Sequence, residues 1–348
     1  MTSYTGKERV SLAYNRQYAD RVPIDIQGLN TGHLPMEPSI PSHATGPEKA
    51  AAGIISTWEF FQQDVVTVGA LSLPMAQAAG NDCDYDKNGT LYSKTRILED
   101  KETIAKLNTP NPRQDIPLPF LLKICELVGA ELGNKAAVRG VVSLPWTVAV
   151  QMRGMERLIF DTVDDPDFIH SVMRFCTDYT IELGETVIET IGEHAAGLYA
   201  TDPSSGCSVI SPQLYKEFVQ PYHKEVVDHF QEKGIPVTFH LCGYIDPIIE
   251  DLLSTGVDGV SIDENTSLEK MFEISKGNAL ILGNISPLLF ANGTKDEMEA
   301  AVKECLEIAK GVSGYILASG CAIPPATPLE NIQSFINAAS KYGRYDDA

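Results

Sequence analysis

The 348-residue chain predicts an α/β fold, a single (β/α)8 TIM barrel. Two observations carry that expectation. Eight short apolar runs alternate with helical segments along the whole length, and the polar residues able to do chemistry recur where those runs end. In a closed parallel barrel the carboxyl ends of the strands are where a site is built. No repeat, low-complexity tract or linker interrupts the pattern, so residues 1–348 are expected to form one domain.

Taken in order, residues 1–20 read as an amphipathic helix, with Val10, Leu12, Ala13 and Tyr18 among charges, ending where Asp20-Arg-Val-Pro23 opens the first strand at Val22–Ile26. The Gly- and Asn-containing run that follows, with His33, reads as a solvated loop. A helix over 47–62 leads to the β-branched second strand, 64–69. Residues 70–119, rich in Gly, Asn, Asp and Pro, read as a long insertion lying over the barrel mouth, with a hairpin near Gly89. The acidic run 81–89 is a solvated turn rather than a calcium loop, because Ser93 stands where a twelve-residue loop beginning at Asp82 needs glutamate.

Helix 118–132, strand 137–143, helices 145–159 and 166–191, and strand 197–203 ending in Asp202 come next. Helix 212–233 then leads to strand five, Ile235-Pro-Val-Thr-Phe-His-Leu-Cys-Gly243. Strands 259–264, 279–284 and 315–319 complete eight, separated or followed by helices 246–254, 268–275, 295–310 and 328–341. Asp202, His240, Cys242, Asp263, Glu264, Asn284 and Cys321 all fall at strand ends.

Composition narrows the class. Forty-seven acidic against 27 basic residues give a net charge of −20, which opposes binding to nucleic acid or an anionic membrane surface. No apolar run approaches the roughly 18 residues of a membrane span. Seven cysteines without a framework and a polar start, with no apolar leader, point to a reducing cytoplasm.

A histidine and a cysteine two apart on a strand share a face, so His240 and Cys242 could grip one ion. A zinc site with an open position needs a third donor, and Tyr315-Ile-Leu-Ala-Ser-Gly-Cys321 ends in one, 79 positions beyond Cys242. Spacing alone leaves a second reading open: free cysteines are commonly ordinary core residues.

The segments His240-Leu-Cys-Gly243, Ile281-Leu-Gly-Asn-Ile-Ser-Pro287 and Gly320-Cys-Ala-Ile-Pro-Pro-Ala-Thr-Pro-Leu-Glu-Asn331 resemble the uroporphyrinogen decarboxylase-like superfamily. Within it they look like the zinc-dependent methylcobamide:thiol methyltransferases, and the similarity runs from about Asp20 to Asn331. That branch, typified by the methylcobamide:coenzyme M enzymes, holds zinc with a His-x-Cys pair and a distant Cys. The resemblance therefore implies His240, Cys242 and Cys321 as metal ligands, Zn2+ as cofactor, and a methylcobamide carried on a partner corrinoid protein as co-substrate. Nothing in this chain resembles the Asp-x-His-x-x-Gly corrinoid-binding signature.

Two thiolates and a neutral imidazole would leave such a zinc formally uncharged, with room for one more ligand. A thiol arriving there loses its proton near neutral pH and stays a soft nucleophile for a methyl on cobalt(III), leaving cobalt(I). Asp263 or Glu264 is expected to fill the open position at rest. Asp202 is expected to orient the metal-bound histidine or the substrate, or to cap the chain before Pro203. Asn284 is expected to hydrogen-bond near the mouth.

Two enzyme directions stay open: methylating a small thiol such as coenzyme M, or loading the corrinoid from a methyl thioether or methoxylated donor. A porphyrinogen decarboxylase would need an arginine-rich clamp after the first strand, where this chain has Asp25-Ile-Gln-Gly-Leu-Asn-Thr-Gly-His33. A non-catalytic docking scaffold would want a zinc closed by four strong ligands. The oligomeric state is open, a homodimer among the options.

Overall fold

The computed structural model describes residues 4–29, 46–86 and 91–345. Strands β1 (Ile24–Asp25) and β2 (Val65–Ala70) are followed by a hairpin of β3 (Asp82–Tyr85) and β4 (Leu91–Thr95). Then come β5 (Ala137–Ser143), β6 (Ala195–Thr201), β7 (Val237–Leu241), β8 (Gly259–Ile262), β9 (Leu280–Ile285) and β10 (Tyr315–Ser319). Apart from the hairpin, all are parallel in the order β1-β10-β9-β8-β7-β6-β5-β2. The result is the expected (β/α)8 barrel.

One seam differs from the others. Pro23 precedes Ile24 and has no N–H to give, and β1 is only two residues long, paired to β10 alone. Its other edge meets β2 through one backbone bond, Asp64 N to Ile24 O at 3.1 Å, and through side chains. Asp64 Oδ2 accepts from Ile24 N at 2.8 Å and Gln63 Oε1 from Ile26 N at 2.9 Å. Asp64 is also paired with Arg21 at 2.6 Å and Arg9 at 3.1 Å.

The barrel interior is layered. At the amino ends of the strands, Val65, Ala137, Leu280, Leu282 and Ile316 form an apolar plug with Val10 and Ala13 of the N-terminal helix. Above it lies a polar layer containing Thr67, Arg139, Tyr199 and Ser261, and above that the mouth. The larger core lies between the strands and the surrounding helices.

Several boundaries differ from expectation for identifiable reasons. The first helix is Gly6–Tyr14, closed at its start by a Thr5–Glu8 capping box. It stops because Arg16 adopts a left-handed φ of 57° and turns its guanidinium onto the carbonyls of Ala13 and Tyr14. The helix expected over 145–159 is two, Pro145–Arg153 and Met155–Asp164, broken at Gly154 with φ 93°. Helix 212–233 forms but widens to a π turn at Tyr215–Val219, just before Pro221, which cannot donate and crowds the preceding turn.

The insertion forms where expected, but among its described residues only the first, Leu71 and Ser72, line the mouth. Further along it is tied to the first helix after β5: Asn81 Nδ2 donates to Gln151 O, Leu98 N to Met152 O, and Arg153 to the carbonyls of Leu98 and Glu99. The hairpin tip at Gly89 and the loop bearing His33 lie outside the described residues. Among the described residues no helix is long and apolar enough to cross a membrane.

Candidate metal centre

β7 points His240 inward and carries Cys242 one residue past its end, where Gly243 turns the chain away with φ 75°. β10 delivers Cys321 two residues past its own end. Although β8 and β9 separate these strands around the wall, the three side chains meet over the mouth. His240 Nε2 lies 3.1 Å from Cys242 Sγ, the two sulfurs are 3.5 Å apart, and one ligand atom of each residue falls within 4.8 Å of the other two.

A tetrahedral zinc with bonds of about 2.3 Å to sulfur and about 2.0–2.1 Å to nitrogen would set such edges at about 3.6–3.8 Å. The two edges of 3.1 and 3.5 Å are slightly shorter than these, and with every ligand atom within 4.8 Å of the others the donor set fits the ion in chemistry and in spacing. The cysteines are free thiols, not a disulfide. Hydrogen bonding from Cys242 and from His240 holds the Cys321 thiol down to about 4, while the Cys242 thiol is pushed up by its bond to Cys321 and by burial.

His240 is 4% exposed, and its far nitrogen, Nδ1, lies 3.2 Å from both the carbonyl and the hydroxyl oxygen of Ser261 on β8. That partner fixes the ring. Asp202, expected to orient the histidine or the substrate or to cap the chain, has its carboxyl engaged elsewhere. Its backbone N–H donates to His240 O at 2.8 Å, but its fully buried carboxyl accepts from Thr147 Oγ1 and pairs with His223 Nε2 at 2.8 Å. The first turn of the helix Gln220–Glu232, which leads on to β7, brings His223 onto Asp202, a placement no sequence spacing could show.

Asn284 reaches neither the triad nor the cavity. Its amide donates to the carbonyls of Asp263 at 3.2 Å and Thr266 at 2.8 Å, bracing the turn after β8. That turn carries the acidic pair, and its two members differ. Asp263 is engaged by the N–H and amide of Asn265 at 2.9 and 2.7 Å. Burial opposes its ionisation, but the N–H groups of Asn265 and Gly243 outweigh it and hold its carboxyl below the usual range. Glu264 is pushed up, by burial first and then by the Asp263 charge. Its Oε2 is buried without a hydrogen-bond partner and packs against Gly320, where an added Cβ would come within 3.1 Å of it. Both carboxylates stand just outside the three-residue cluster.

The cluster opens into a cavity of about 540 Å³. Its floor is a polar network that sequence reasoning missed: Tyr199 donates to Gln27 Oε1 at 2.7 Å and its hydroxyl lies 3.1 Å from Ser261 Oγ, and Arg139 stacks 3.7 Å from the Tyr199 ring centroid and pairs with Asp25. The signal was there, since an arginine inside Ala137-Val-Arg-Gly-Val-Val-Ser143 has to find a buried partner.

A barrel with chemistry at the carboxyl ends of β7, β8 and β10 defines the class, and the match is direct. Residues 5–342 fit the uroporphyrinogen decarboxylase (URO-D) family, to which this chain belongs. Its relatives include the methylcobamide:CoM methyltransferase MtbA of Methanosarcina mazei, 27% identical, covering 98% of this chain and 99% of the relative. The methylcobamide:CoM methyltransferase MtaA of Methanosarcina barkeri (strain Fusaro) is 24% identical over 98% of this chain and 99% of its own. A uroporphyrinogen decarboxylase of Crocosphaera subtropica is 25% identical over 87% and 85%. A solved methyltransferase from Methanosarcina mazei shares the fold at a TM-score of 0.85 and 23% identity, covering 98% of this chain and 99% of that one.

Proposed function

We propose that this chain is a zinc-dependent methyltransferase that moves a methyl group between a corrinoid carried on a partner protein and a small sulfur compound, with residues 1–348 working as one domain. The observation that carries this is the open His240–Cys242–Cys321 cluster facing a cavity. Bound there, zinc would supply a Lewis acid that lowers the pKa of an arriving thiol. His240 and the two cysteines would hold the ion, and the Ser261 carbonyl, accepting from Nδ1, would keep the imidazole in the tautomer that leaves Nε2 free to bind. In the thiol direction the S–H proton leaves to solvent, the sulfur takes the methyl, and the Co–C electron pair stays on cobalt.

Between the two carboxylates, Glu264 is the one assigned to the resting fourth position, because it has a buried oxygen with no donor while Asp263 is already engaged. The methyltransferase names of MtbA and MtaA support the reading. Loading the corrinoid from a methyl thioether or methoxylated donor would use the same residues. Porphyrinogen decarboxylation is disfavoured by the cavity: among the described lining residues its sole cation is Arg139, already paired with Asp25.

The test is metal content and methyl transfer together. Purified protein should hold about one zinc per chain, and Cys242→Ala and Cys321→Ala should each lose most of it. With zinc present, methylcobalamin or a methylated corrinoid protein should be demethylated by thiol without release of carbon dioxide. Full zinc retention by both variants, or steady decarboxylation of uroporphyrinogen independent of zinc, would refute the proposal.

A further inference from the structure

The floor of the cavity shows what kind of sulfur compound it takes, an inference resting on the methyl-transfer reading above. We infer that the substrate is an uncharged thiol or methyl thioether with an apolar body, because among the described residues the cavity has no unpaired cation to receive an anionic tail. Arg139, 5% exposed, is the sole cation among the described lining residues, and Asp25, 3% exposed, neutralises it. Its Nε is spent on Thr67 Oγ1 at 2.9 Å.

The remaining polar donors of the floor are turned onto one another. The Gln27 amide donates to Ser261 Oγ at 3.0 Å and Ser319 O at 2.9 Å, and the Tyr199 hydroxyl donates to Gln27. The opposite wall is apolar, built from Leu29, Ile54, Trp58, Leu71, Leu121 and Ile124. Two carboxylates, Asp263 and Glu264, stand beside the centre.

A sulfonate or carboxylate entering this space would give up its water and gain no counterion, while an alkyl or aryl body would be covered by matching surface. Coenzyme M, for which several relatives are named, is an ethanethiol ending in a sulfonate. Among its described residues this chain offers the His240–Cys242–Cys321 donor set but no unpaired lining cation for that tail.

The experiment is a calorimetric titration of zinc-loaded protein with two thiols of similar length, 1-propanethiol and 2-mercaptoethanesulfonate. Wild type should bind the uncharged thiol at least tenfold more tightly. In Asp25→Asn, which frees the Arg139 charge, the ratio of the two dissociation constants should move at least tenfold toward the sulfonate, and this comparison cancels the difference in thiol acidity. Equal or tighter binding of the sulfonate by wild type overturns the inference while leaving methyl transfer intact. An unmoved ratio in a folded Asp25→Asn protein also overturns it. Should Asp25→Asn not fold, the wild-type comparison decides alone. If neither thiol binds, the inference is overturned, while the methyl-transfer reading stands or falls on zinc content and corrinoid demethylation.

Discussion

Gly206 offers a way to move a metal ligand without touching it. It lies in the turn after β6, against the backbone of Cys242, and an alanine Cβ there would sit 2.3 Å from Cys242 O. Real Cβ contacts begin at 3.0 Å, so roughly 0.7 Å has to be found. The turn cannot easily give way, because Cys207 N is bonded to Tyr244 O at 2.8 Å and Ser204 O receives the Trp146 indole at 3.1 Å. The displacement therefore falls on Cys242, while metal–ligand bonds tolerate only about 0.2 Å. Gly206→Ala should weaken zinc binding about 10–100-fold, as loss of a supporting contact does, and cost about 1–3 kcal/mol of stability from overpacking. Chelator competition reads the first quantity and denaturant unfolding of the metal-free protein the second. Wild-type zinc affinity in a variant that unfolds like the wild type would show that the turn yields and that Cys242 is positioned by something else.

Two further outcomes are expected. His223→Ala leaves the Asp202 carboxyl buried with Thr147 alone, which should cost about 3–5 kcal/mol in urea unfolding; a loss under about 1 kcal/mol would mean the pair is incidental. Arg9, hydrogen-bonded to Asp20 at 2.6 and 2.8 Å, holds that carboxyl below its ordinary 3.8, so the folded state binds fewer protons than the unfolded state there. This stability is complete above that pH and lost as pH falls through the lowered value. Asp20→Asn should therefore flatten the acid side of the unfolding midpoint measured against pH, and an unchanged acid slope would assign it to other carboxylates.

The sequence was most informative where local pattern and chemistry coincide. Seven of the eight strands are β-branched or apolar runs closed by turn residues, and His240, Cys242 and Cys321 end two of them. What stayed hidden depends on contacts between distant segments. Nothing near Asp202 announces His223, and only the fold brings Ser261 under His240. Asn284 looked like a mouth residue by position, yet its amide is spent on two carbonyls of the neighbouring turn. The break at Gly154 was masked because the apolar spacing continues across it, although a φ of 93° is a conformation that favours glycine.

The seam between β1 and β2 bears on how the barrel can be opened. Seven junctions are held mainly by main-chain ladders, which no single substitution removes, because every residue type except proline carries the same N–H and C=O. The eighth depends on the identities of Asp64 and Gln63. One codon change at either position can therefore unfasten a strand edge, directly beside the loop that leads to the mouth. Hydrogen exchange would register such a change in the amides of Ile24 and Ile26, which rely on side-chain acceptors for protection, while the amides of β7 and β8 kept theirs. The molecule thus has a clasp at one known place on its circumference, and selection can loosen or tighten it without disturbing the rest of the wall.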